Sequence, residues 1–169
     1  FAVPGSLGEG DVSVAIAAGA ISDISGTPIV AFTASYYNDI TAPRVVYSSI
    51  QEGETDISTG DLVYTVTFSE PMNPNLFLGA APLYAQIAGT YFYPYSIQFD
   101  ASLTTATISY SGLPEDSYTL TLVSGSGAFT DLVLIPLDGE PTAWPIPPNE
   151  SGDGIAGGNF YVAFSTDAG

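Results

Sequence analysis

Two distant stretches of this chain follow one plan. SLGEGDVSVAIAAG, residues 6–19, aligns without gaps to GLPEDSYTLTLVSG, residues 112–125. Leu7 falls on Leu113, Glu9 on Glu115 and Gly19 on Gly125. Each stretch opens with a turn of Gly, Pro and acidic residues and passes into alternation: Val12, Val14 and Ile16 in one, Tyr118, Leu120 and Leu122 in the other. A period of two sends successive side chains to opposite faces, so each stretch reads as a half-buried strand. Downstream, SDISG at 22–26 parallels TDLVL at 130–134, and VAFT at 30–33 parallels VAFS at 162–165. A unit recurring in this order is a supersecondary repeat, which cannot bury its apolar face unaided.

The first copy has no earlier strands to lean on. Residues 1–40 are therefore expected to be the C-terminal strand pair of a preceding or swapped module, and 41–169 a complete module. The seam between them is YYNDITAPRVV, residues 36–46, where Pro43 interrupts the backbone before a new β-branched run. The second copy carries about two dozen extra residues, LDGEPTAWPIPPNESGDGIAGGNF, a long excursion rich in Pro, Gly and acid rather than a helix. Strands are expected at 42–50, 61–69, 76–80, 83–89, 91–100, 105–112, 118–125 and 160–166. Within 61–69, Leu62, Tyr64, Val66 and Phe68 share the inward face. Short strands joined by turns, without a helical period, indicate an all-β, antiparallel sandwich.

Composition narrows the function classes. The 169 residues are 46% hydrophobic, with 11 Tyr and 9 Phe, enough to fill a core. One Arg, no Lys and 18 acids give a formal charge of −17. Nucleic acid needs cations to neutralise phosphate, so it is excluded as a partner, and anionic membrane surfaces are disfavoured likewise. No run is apolar enough to insert in a bilayer, and the start lacks a basic n-region. With neither Cys nor His, disulfides, thiolate sites, Ser-His-Asp triads and ordinary catalytic zinc sites cannot be built.

VTFSEPMNP (66–74) followed by GLPEDSYTLTL (112–122) resembles the bacterial Ig-like modules found in tandem in large secreted and cell-surface proteins. Phe68, Ser69, Pro71 and Met72 match their Phe-Ser-x-Pro-Met strand end, and Leu113, Tyr118 and Leu120 match a later strand. NDITAPRV is similar to the linkers between such modules, and SGDGIAGGNFYVAF to closing segments in giant planctomycete-type surface proteins. The resemblance implies an Ig-like sandwich, located outside the cell, with a spacing, adhesive or assembly role and no catalysis. The open edges of the 1–40 strand pair call for a partner sheet, either in a neighbouring module or in an identical subunit, where strand donation would build a filament. In the tyrosine-corner manner, Tyr118 is expected to bury its ring while its hydroxyl meets a backbone carbonyl.

Acidic groups supply the candidate sites, because hard cations such as Ca²⁺ take oxygen ligands. Asn38 and Asp39 at the seam, with Glu52, Glu54 and Asp56 soon after, are either turn residues or ligands; the Asn-Asp and following Pro are similar to Ca²⁺-binding cadherin linkers. In the long excursion, Asp138, Glu140, Glu150 and Asp153 sit beside glycines and form either an acidic loop or a Ca²⁺ site. GETDISTGD, with Glu54, Asp56 and Asp61, reads as a polar hairpin loop. Paired carboxylates also hydrolyse glycosides, but nothing here fixes two of them across a cleft. Tyr91 and Tyr93, near Phe92 and Tyr95, together with Trp144, are either packing residues or a platform for stacking sugars.

Overall fold

The computed structural model describes residues 7–168, so Ser6, the first position of the repeat, lies outside them. The chain divides into two compact units, Phe1–Thr41 and Ala42–Gly169.

The first unit is one hairpin. Strands β1 (Gly10–Ile16) and β2 (Phe32–Asn38) pair antiparallel, with Val12 opposite Tyr36, Val14 opposite Ala34 and Ile16 opposite Phe32. Cross-strand pairs share a face, so these six side chains make one largely apolar face, bounded at one end by the Gly10–Asn38 pair. The opposite face carries Asp11, Ser13, Ala15, Thr33, Ser35 and Tyr37. Between the strands, the Asp23 carboxylate accepts the N–H groups of Ser25 and Thr27, closing a small loop in which Gly26 takes φ 82°.

The second unit is an all-β sandwich of two sheets. Its strands are β3 (Val45–Ser48), β4 (Glu54–Ser58), β5 (Gly60–Phe68), β6 (Leu83–Ala85), β7 (Thr90–Phe92), β8 (Ser96–Phe99), β9 (Thr105–Leu113), β10 (Ser117–Leu122) and β11 (Phe160–Asp167). One sheet runs β4-β11-β10-β6-β7 and the other β3-β5-β9-β8. Every pair is antiparallel except β4 with β11. Inward residues of both sheets interdigitate: Tyr64, Val66 and Phe68 from β5 and Ile108 and Tyr110 from β9 meet Tyr118, Leu120 and Leu122 from β10 and Phe160, Val162 and Phe164 from β11. Tyr118 packs between Phe92 and Phe164 and donates its hydroxyl to the Pro114 carbonyl at 2.8 Å, as the alternation and the Tyr position led one to expect.

Local departures from the sequence expectations have physical causes. GETDISTGD is not a bare loop: its Glu54–Ser58 portion is edge strand β4, held by half-buried Ile57, and charged side chains suit an edge. Residues 76–80 form no strand but a 3₁₀ turn at Leu78–Ala80. The run 91–100 breaks into β7 and β8 at Pro94, which has no N–H for a ladder, and the two pieces enter different sheets. The excursion after Leu137 is an ordered loop without helix, its Ser151 hydroxyl taking the Val45 N–H and donating to the Asp138 carbonyl.

Candidate functional site

The repeat survives in three dimensions and defines the first candidate site. β10 and β11 pair as β1 and β2 do, with Tyr118 opposite Phe164, Leu120 opposite Val162 and Leu122 opposite Phe160. The intervening loops also agree. Asp131 accepts the N–H groups of Val133 and Ile135 as Asp23 does those of Ser25 and Thr27, and the bridges Ser22 with Pro28 and Thr130 with Pro136 coincide. Ile29 N–H to Ile21 carbonyl (2.9 Å) is matched by Leu137 to Phe129 (3.1 Å). By register Phe32 stands where Phe160 does, so the VAFT–VAFS match is displaced by two full pleats, which leaves the face unchanged.

What differs is burial. Tyr118, Leu120, Leu122, Phe129, Leu137, Phe160, Val162 and Phe164 all lie in the core. Their counterparts in the hairpin do not: Val14 is 49% exposed, Ile21 55%, Phe32 52% and Tyr36 51%. The hairpin thus displays the core face of a half-sandwich. Its strand edges are open in the same sense: among the described residues no third strand joins β1 or β2, whereas β10 is flanked by β6 and β11 by β4.

The acidic candidates differ in what surrounds them. Asn38, at the end of β2, donates across the hairpin to the Leu7 and Gly8 carbonyls, and Asp39 accepts the Thr41 N–H in a local turn. In the second unit Glu52 accepts the Ala163 N–H at 2.8 Å and Glu54 that of Gln51 at 3.0 Å, tying the β3–β4 turn to itself and to β11. Glu150 pairs with Arg44, the chain's single cation, at 2.9 Å.

Asp138, Glu140 and Asp153 do converge, offering carboxylate oxygens within 4.8 Å of one another. Asp138 is buried and accepts the N–H groups of Asp153 (3.0 Å) and Gly154 (2.9 Å). Glu140 Oε2 is enclosed and has no hydrogen-bond partner. The loop closes this tightly because Gly152 (φ 96°) and Gly158 (φ 78°) stand where a Cβ would overlap the Asp138 and Glu140 carboxylates. An all-oxygen set with an orphaned buried oxygen suits a hard cation rather than a thiolate- or imidazole-seeking metal.

The aromatic candidates also divide. Trp144 is partly buried against Phe160, 5.8 Å between rings, and is a packing residue. Tyr91 and Tyr93 are exposed and stacked, 6.3 Å apart with planes 24° from parallel. Tyr84, absent from the sequence candidates, joins them: β6–β7 register places it opposite Tyr91, ring centroids 4.9 Å apart. Among the described residues no helix is long and apolar enough to cross a membrane.

No family model matches the chain, and no curated protein matches it by sequence. Among solved structures it is similar to domains 1–6 of surface layer protein SbsC, at 18% identity and TM-score 0.42 over 74% of this chain. It is likewise similar to the N-terminal part of the bacterial S-layer protein SbsC, at 18% identity and TM-score 0.40 over 74% of this chain. The chain spans 14% and 23% of those two structures.

Proposed function

We propose that this chain is a non-catalytic structural unit of an extracellular surface assembly, and that its hairpin docks by completing the β-sandwich of a like neighbour. The observation that carries this reading is the exposure, in β1–β2, of the positions that are core in β10–β11. A two-stranded hairpin alone is marginal in water, and burying each large apolar side chain is worth about 1.5–3 kcal/mol. The neighbour would offer an antiparallel strand to β1, as β6 does to β10, and a parallel strand to β2, as β4 does to β11. Such completion by an identical subunit builds a filament; completion by the adjoining module of one polypeptide builds a spacer of the Ig-like type that the motif order resembles.

Sedimentation velocity and electron microscopy of the purified chain test the subunit form. Association rising with concentration into fibres is expected, with Phe32→Ser, which places a hydroxyl on the apolar face, remaining monomeric. Dispersed monomers at high concentration, or a Phe32→Ser protein that still assembles, would sink it.

Ca²⁺ held by Asp138, Glu140 and Asp153 would tie the two ends of the long excursion to each other. The unpartnered Glu140 Oε2 and the glycine cradle support this. Melting with rising Ca²⁺ should then raise the midpoint of the second unit, with chelator reversing the gain and Glu140→Gln abolishing it. A midpoint indifferent to Ca²⁺ would leave the three carboxylates as a hydrogen-bonded loop closure.

A further inference from the structure

We propose that the outward face of the β6–β7 edge binds an extended, neutral polysaccharide. Register sets Tyr91, Tyr84 and Thr119 in one row across β7, β6 and β10, and Tyr93, two residues along the chain from Tyr91, stacks beside it at 6.3 Å. Tyr84, Tyr91 and Tyr93 are all exposed, so the rings form a continuous track rather than a core. Sheet order ends at β7, which lets a polymer run on past the edge.

The chemistry of the track selects the occupant. The remaining outward positions of β10 are Ser117 and Thr121, so this part of the face has no charged side chain in a chain with 18 acids. A surface shaped only for solubility would place carboxylates there. Gln86 lies alongside, its amide 3.4 Å from the Thr119 hydroxyl. Flat rings beside hydroxyl and amide groups match a pyranose, whose axial C–H face is apolar and whose rim is hydroxylated. Tyr offers both an apolar body and a polar tip for such a contact. The −17 charge repels acidic polysaccharides and nucleic acid, so the ligand is neutral.

Native affinity electrophoresis in soluble mannan and galactan, with co-sedimentation on cellulose and chitin, tests this; alginate is the charged control. The whole chain is used, both unaltered and as Phe32→Ser, so that retention is read apart from assembly. Retention on at least one neutral polymer and none on alginate is expected. Loss of about tenfold in affinity is expected for Tyr84→Ala/Tyr91→Ala, with Tyr47→Ala, on the other sheet, unchanged. Tyr93→Ala, outside the strand, gives the same reading should the double variant not fold. Binding to none of the four neutral polymers, equal loss in Tyr47→Ala, or altered self-association of the double variant without glycan would each overturn the proposal, the last marking a contact between copies.

Discussion

Asp116 shows how one carboxylate closes a corner of the sandwich. It is buried, and its oxygens accept the N–H groups of Ile87 and Ala88, both at 2.8 Å, and of Ser117 at 2.7 Å. Burial pushes its pKa up, but the backbone donors together outweigh that and hold it below the ordinary 3.8. A carboxyl depressed on folding contributes stability that is complete above its unfolded pKa and is lost as pH falls through the folded value. The stability gap between the native chain and Asp116→Asn should therefore be flat from neutral pH down to about 5 and narrow below 3.8, as urea melts at stepped pH will read. A gap that instead widened on acidification would contradict the hydrogen-bond assignment. The partnership of Asp116 with Ile87 and Ala88 could not be read from the sequence, because that β6–β7 turn is brought near only by the sheet.

The loop element shows what a repeat conserves and what it changes. Asp23 and Asp131 organise equivalent loops, and the residue three positions on has positive φ in both: Gly26 at 82° and Leu134 at 72°. A left-handed conformation is free for glycine and costs a Cβ-bearing residue about 1 kcal/mol. Leu134 is also exposed, so little burial offsets that cost. Leu134→Gly should raise the stability of the second unit by about 1 kcal/mol, measured as a higher urea midpoint at unchanged slope. A lower midpoint would mean that the leucine side chain has stabilising contacts that outweigh the strain.

Stability is unevenly divided over the whole molecule. The second unit has a two-sheet core, whereas the first has one hairpin whose apolar face meets solvent. Amide exchange tracks local opening. In dilute monomer, the amides of β1 and β2 should exchange orders of magnitude faster than those of β5, β9 and β10, and become protected as the chain associates. Uniform protection in the monomer would show that the hairpin is already complete. The 17 excess negative charges oppose any assembly by mutual repulsion, so cations that screen or bind them favour it.

Alternation alone determined much of this protein. Val12, Val14 and Ile16 face one way, and Tyr118, Leu120 and Leu122 likewise, because pleat parity is local and needs no partner. The all-β class and the long excursion follow from the same local signals, with Pro and Gly as punctuation. Tertiary structure decided which groups with similar local signals share a neighbourhood. Glu150 and Asp153 stand in one acidic run, yet the first meets Arg44 and only the second joins Asp138 and Glu140. Tyr84 meets Tyr91 through hairpin register, while Trp144 turns to Phe160. Cross-strand and loop-closing contacts depend on distances through space, which residue spacing along a chain does not encode once the backbone turns back on itself.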